Sequence, residues 1–165
     1  MQVADLMSSP LRSVAPATSL RDAAKLLRDA KIRCLPVCDA GRVAGMITDR
    51  DIVWRAAAEE RDLAATTCGE IMSAKVVSIA ADAPIEDAVR AMDRGGVHHL
   101  PVVDASGSPL GILALGDIAT HLMLGGGAPA PPFDAADSMG EMTMGIPEPT
   151  LADEVLRLVA RDAWR

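Results

Sequence analysis

Thr48-Asp49-Arg50-Asp51 sets a hydroxyl, two carboxylates and a guanidinium side by side, where a strand pattern gives way to a helix pattern. An ionised carboxylate only accepts hydrogen bonds and has two oxygens to do it with. An aspartate at this junction can therefore take hydroxyl hydrogens from a ligand, or cap the helix by accepting backbone amides. Arg50 and the exposed amides of a helix start suit an anion such as phosphate. The frame recurs further on: Gly45-Met46-Ile47-Thr48-Asp49-Arg50-Asp51 is matched by Gly111-Ile112-Leu113-Ala114-Leu115-Gly116-Asp117. The second copy keeps Asp117 but has Ala114 in place of Thr48 and Gly116 in place of Arg50, so it lacks one hydroxyl and one cation. Ahead of these frames stand Arg33-Cys34 and His98-His99. The two histidines are adjacent on a strand pattern and should point to opposite faces, so one of them is expected at any shared cleft.

Other chemistries find little support. His98, His99 and His121 have no nucleophile or carboxylate at catalytic spacing, and no phosphate-cradling glycine loop of the Walker type is present. Cys34, Cys38, His98 and His99 lack zinc-finger spacing. Cys34 and Cys38 sit four apart on a strand pattern, roughly 13 Å at ~3.3 Å per residue, well beyond the ~7 Å a disulfide can span. Three cysteines, an odd number, fit reduced thiols and a cytoplasmic setting. A formal charge of −7 argues against nucleic-acid binding. No apolar run is long enough to span a membrane, and no basic-then-apolar leader opens the chain. Trp54 and Trp164 read as packing anchors.

The elements that position these groups are themselves repeated within the 165 residues. Asp5-Leu6-Met7 recurs as Glu70-Ile71-Met72, Leu20-Arg21-Asp22-Ala23 as Ile85-Glu86-Asp87-Ala88, and Leu35-Pro36-Val37 as Leu100-Pro101-Val102. Each is 65 positions on (5 to 70, 20 to 85, 35 to 100), and the offset becomes 66 after the turn at 104–108. So long a period implies two complete supersecondary units. In the first, Ser13-Val14-Ala15 is extended, and Ser19 caps a helix with Asp22 three residues on. Leu20, Ala23, Ala24, Leu27 and Ala30 form that helix's apolar face. Ile32 to Cys38 is a strand whose Pro36 requires an edge or a bulge. Val43 to Thr48 returns, and Asp49 caps a second helix. In the second unit Val76 to Ile79 is extended, and a helix runs from Pro84 to Gly95-Gly96. A hairpin joins His98–Val103 to Leu110–Leu115, and a helix starts at Asp117.

The expected fold class is α/β (α+β): two pseudo-symmetric β-α-β-β-α units over residues 1–62 and 66–124, packed as one module around a cleft. A Gly/Pro linker (125–136) and a C-terminal helical tail (137–165) follow. The tail reads in two ways. Leu151, Val155, Leu158 and Val159 make an amphipathic helix that can cap an apolar surface; alternatively Asp137-Ser138-Met139 opens a partial third repeat.

Gly-hydrophobic-x-Thr-x-x-Asp closing a repeat, a hydrophobic-Pro-hydrophobic strand before it and an Asp-x-Met opening together resemble the CBS (cystathionine β-synthase) domain. Residues 3–124 resemble two of them in tandem, a Bateman module of the stand-alone bacterial type. The resemblance implies a regulatory protein, not an enzyme, with no catalytic cofactor. It would bind an adenosine-containing ligand (AMP, ADP, ATP or S-adenosylmethionine) between its units. It would signal by conformational or oligomeric change, as a homodimer and to an effector protein. By position, Asp51 and Asp117 match ribose contacts and Thr48 a hydroxyl contact near ribose and phosphate. Arg33 and Arg50 match phosphate-facing positions, and the backbone of Ile32-Arg33-Cys34-Leu35-Pro36 matches the strand that reads the adenine edge. His98, His99 and Pro101 lie on the corresponding strand of the second copy, where the histidines can supply phosphate contacts. Helix capping stays open as the other role for Asp51 and Asp117. The alternative for the whole chain is a structural homodimerisation module with vestigial clefts, which the losses in the second copy favour.

Overall fold

α1 (Leu20–Ala30) begins where the Ser19 hydroxyl accepts the Asp22 amide at 3.1 Å, satisfying one of the donors that a first helical turn leaves open. Leu20, Ala23 and Leu27 share one face and are buried. The computed structural model to which this helix belongs describes residues 1–123 and 150–162. The linker at 125–136, Asp137-Ser138-Met139 and Trp164 lie outside the described residues.

β1 (Cys34–Asp39) and β2 (Arg42–Thr48) form an antiparallel hairpin from Cys34↔Thr48 to Asp39↔Arg42. The bulge that Pro36 calls for lies between Val37 and Cys38. β1 is not an edge, however. Val14 pairs parallel along its other side, donating to the Pro36 carbonyl at 3.0 Å and accepting the Cys38 amide at 2.8 Å. That register steps over the proline nitrogen, so its missing N–H leaves no gap.

α2 (Asp49–Ile52) follows β2 directly and continues as a π-helical turn over Val53–Ala57. Its N-cap is Thr48 rather than Asp49. The expected start is one residue late because an acidic residue at the third helical position closes the box as well as one at the cap does. A short helix α3 (Cys68–Ile71) opens the second repeat. β3 (Ile79–Ala80), α4 (Ile85–Gly95), β4 (His99–Val103), β5 (Pro109–Ala114) and α5 (Leu115–Met123) then repeat the first order. β3 lies parallel to β4, and β4 antiparallel to β5. α5 begins at Leu115, two residues before the expected Asp117, for the same reason: Asp117 takes the Ala114 amide as the third residue of the helix.

The opening segments of the repeats are exchanged. Ser8 pairs with Ile112 of β5 through bonds of 2.8 and 3.1 Å, and Ser73 pairs with Met46 of β2 through bonds of 2.9 and 3.0 Å. Val3 accordingly belongs to the core of the second repeat, with Ile85, Val89, Met92, Leu100 and Leu113. Cys68 and Ile71 belong to the first, with Leu20, Leu27, Leu35 and Ile47. Two glycines mark the crossings. A Cβ on Gly111 would stand 2.6 Å from the Ser8 carbonyl oxygen, and one on Gly45 would meet the Met72 side chain, its Cγ at 2.8 Å.

α6 (Leu151–Asp162) is the expected tail helix. Thr150 and Asp153 cap it reciprocally: the Thr150 amide and hydroxyl donate to Asp153 Oδ2 at 2.8 and 2.7 Å. Val155 and Leu158 are buried in the core of the second repeat, and Arg161 reaches Asp93 of α4 at 2.9 Å. The helix thus caps an apolar surface. No helix among the described residues is long and apolar enough to cross a membrane.

Candidate functional site

Thr48 and Asp51 are locked together. The Thr48 hydroxyl and amide both donate to Asp51 Oδ2, at 2.7 and 3.0 Å, while the Asp51 amide donates back to Thr48 Oγ1 at 3.1 Å. Arg55, one turn on, lies 3.4 Å from Asp51 Oδ1. The Asp51 side chain is only 15% exposed. Capping therefore uses part of a carboxylate that has about four acceptor positions, and the remainder faces a cleft.

That cleft has a volume of about 350 Å³ and opens between the two repeats. The first repeat lines it with Arg33, Cys34 and Met46, then with Thr48, Asp49, Arg50 and Asp51 at the β2–α2 junction. From the second come Ser73, Lys75 and Val77 on the exchanged segment, and Gly96, Val97, His98 and His99 leading into β4. Seven expected residues thus meet in one place: Arg33, Cys34, Thr48, Arg50, Asp51, His98 and His99. Ile32, Pro36, Pro101 and Asp117 do not line it. Pro36 and Pro101 are buried, Ile32 packs against the first core, and Asp117 stands at the position in the second repeat that corresponds to Asp51.

Both histidines border the cleft, where strand alternation allowed one. β4 starts at His99, so His98 precedes the strand and escapes its alternation. The His98 carbonyl instead accepts the Leu115 amide at 2.9 Å, just as the Arg33 carbonyl accepts the Asp49 amide at 3.1 Å. These bonds fix the two approach strands to the two helix starts.

The electrostatics of the cleft are unevenly compensated. Arg33 pairs with Asp49 at 3.2 Å, an exposed pair worth up to about 1 kcal/mol. Arg50 has its guanidinium 5.2 Å from the ring centre of Trp54. Trp54 is 60% exposed, so it is not the packing anchor expected; it serves as a platform for Arg50. Burial, then the neighbouring His98 and Arg33, hold the His99 imidazole below the ordinary histidine value, against the pull of Asp49. Burial, with the Asp49 charge, pushes the Cys34 thiol up to about 12, so it is a neutral wall and not a nucleophile. Asp117 reaches solvent, yet partial desolvation raises its carboxyl above the ordinary range, opposed by the Ala114 amide. Among the described residues no three His, Cys, Asp or Glu side chains come together as a metal site.

Ser73, Lys75 and Val77 were missed from sequence. They lie between the repeated motifs, and only the exchange of opening segments carries them to the cleft. The signal available was the Ser8/Ser73 match at the repeat offset, which marks both segments as part of the repeat rather than as linker.

Comparison with known proteins agrees with this architecture. The CBS-domain family model matches residues 3–57 and 68–124. The CBS domain-containing protein YhcV of Bacillus subtilis is 36% identical over 121 residues, covering 73% of this chain and 85% of YhcV. Hypoxic response protein 1 of Mycobacterium tuberculosis is 34% identical over 119 residues, covering 72% and 82%. A crystal structure of Hypoxic Response Protein I with two coordinated zinc ions aligns with a TM-score of 0.67 at 32% identity, over 73% of this chain and 98% of that one. The CBS domain pair of MJ0100, in complex with 5′-methylthioadenosine and S-adenosyl-L-methionine, aligns with a TM-score of 0.68 at 31% identity, over 76% and 97%. With both repeats matched in order and a cleft enclosed between them, the chain belongs to the CBS-domain family and carries two CBS domains in tandem.

Proposed function

We propose that this chain is a regulatory module that binds an adenosine-containing ligand (AMP, ADP, ATP or S-adenosylmethionine) in the cleft between its repeats. It passes occupancy on as a change in the relative placement of the repeats or in self-association, as a homodimer acting on an effector protein. The observation that carries this reading is the convergence of Thr48, Asp51, Arg33, Arg50, His98 and His99, from two repeats, on one 350 Å³ cleft. Asp51 takes the ribose hydroxyls with the acceptor capacity that capping leaves free. The backbone around Arg33 and Cys34 meets the adenine, and the cations face whatever follows the ribose. The bound 5′-methylthioadenosine and S-adenosyl-L-methionine of the MJ0100 domain pair support the choice of ligand class.

A ligand that bridges two repeats favours one relative tilt over another, which is coupling in the thermodynamic sense. It also stabilises the folded chain by about 2.7 kcal/mol at one hundred times its Kd. The test is a thermal-shift panel of AMP, ADP, ATP and S-adenosylmethionine on ligand-stripped protein. A rise with at least one of them, abolished in Asp51→Ala, supports the proposal; an unmoved melting temperature with all four at millimolar concentration ends it.

The second reading, a structural homodimerisation module, has its own observation. Val53 and Trp54 are 56% and 60% exposed on the π-helical turn beside the cleft. Under that reading Asp51→Ala changes neither ligand binding nor assembly, while Trp54→Glu yields monomers.

A further inference from the structure

The acidic chain presents a locally cationic cleft, and its ion pairs decide which cations are available. Asp49 is held by Arg33 at 3.2 Å, and Asp51 by Thr48 and Arg55. Both carboxylates of the lining are therefore engaged. Arg50 is stacked on Trp54, which leaves its charge uncompensated. Lys75 is exposed and has no hydrogen bond or ion pair among the described residues. Across from Arg33 stand His98 and His99.

We infer that Lys75 and Arg50 select the charge of the ligand's tail, so that the cleft takes adenine nucleotides with a phosphate chain and disfavours S-adenosylmethionine. This rests on the proposed adenosine site and says which member of that class occupies it. The chemistry is asymmetric. A phosphate chain meets two free cations, each able to make charge-assisted hydrogen bonds. The sulfonium and ammonium of S-adenosylmethionine would need a carboxylate, and both carboxylates in the lining already have cationic or hydroxyl partners. Its own carboxylate can engage one cation, leaving the second facing a positive centre. Neither cation was fixed by the fold: Lys75 sits on the exchanged segment and Arg50 on the exposed side of α2, so both are free to serve a ligand.

Isothermal titration of the full chain with adenosine, AMP, ATP and S-adenosylmethionine tests this, using wild type, Lys75→Met, Arg50→Met and Asp51→Ala. Affinity should rise from adenosine to AMP to ATP, fall with added salt for AMP and more steeply for ATP but not for adenosine, and be lowest for S-adenosylmethionine. Lys75→Met should weaken ATP about ten-fold and leave adenosine unchanged, with an unshifted melting temperature for the apo protein. S-adenosylmethionine binding as tightly as ATP overturns the inference while adenosine binding stands, as does ATP affinity indifferent to both Lys75→Met and Arg50→Met. Failure of all four ligands on wild type overturns the adenosine site itself, and this inference with it.

Discussion

The Asp51 carboxylate serves the fold and borders the cleft at once, and the two duties can be separated by substitution. Thr48→Ala removes the hydroxyl that both donates to Asp51 and accepts from its amide. The expected cost is about 1 kcal/mol, typical of a lost N-cap, measured as a lowered urea midpoint with unchanged slope. Adenosine binding should weaken as well, because the carboxylate loses the partner that orients it. His99 makes a second prediction at this scale. Its folded pKa lies below the ordinary 6.5, so as the pH falls the unfolded chain takes up this proton first. The stability it contributes is complete above about 6.5 and is lost as the pH drops through the folded value. An anionic ligand works in the opposite direction, offsetting the field of His98 and Arg33 and favouring the imidazolium. Nucleotide affinity should therefore increase on mild acidification, with proton uptake seen by calorimetry in buffers of different ionisation enthalpy. In His99→Gln both the uptake and the pH slope should shrink, to what the ligand's own phosphate contributes.

At the level of elements, the two crossing glycines are equivalent in sequence but not in what surrounds them. Gly111→Ala drives a methyl into a backbone oxygen, Ser8 O at 2.6 Å, which moves only if the whole pairing with β5 moves. Gly45→Ala meets the flexible Met72 side chain, which can rotate away. Chemical denaturation should show Gly111→Ala losing about 2–3 kcal/mol, and Gly45→Ala about 1 kcal/mol or less. A larger loss at Gly45 would mean that Met72 is pinned. The same elements show what the sequence could express. α1, α4 and both hairpins were legible because an apolar face at helical spacing, or two runs flanking a turn, is a pattern that burial itself imposes. The pairs Ser8–Ile112 and Ser73–Met46 were not, because a pair of hydrogen bonds between backbones leaves no periodicity in side-chain type. Lys75 was missed with them. Trp54 was misread because composition cannot tell a buried ring from one that carries an arginine on an exposed turn.

On the scale of the whole molecule, each repeat is completed by a segment of the other, so the two should not melt apart. Val3→Ala should cost about 2 kcal/mol, although Val3 lies more than eighty residues from Ile85, Leu100 and Leu113 with which it packs. The measurement is native-state hydrogen exchange: protection should fall in β4 and β5, and also in β1 and β2, in one cooperative step. Loss confined to β4 and β5 would mean that the repeats are energetically independent despite the exchange. α6 ties in at the same core through Val155 and Leu158, so the second repeat draws on both described ends of the chain.

The exchange also sets a timetable for synthesis. Domains usually fold from the N-terminus as they leave the ribosome, but here the first core must wait for Cys68 and Ile71. The segment around Val3 must wait longer still, first for residues 81–85, which take its amides, and then for β5 to receive Ser8. The nascent chain thus holds its first half open until the second is made, and neither repeat can close a cleft before the other exists.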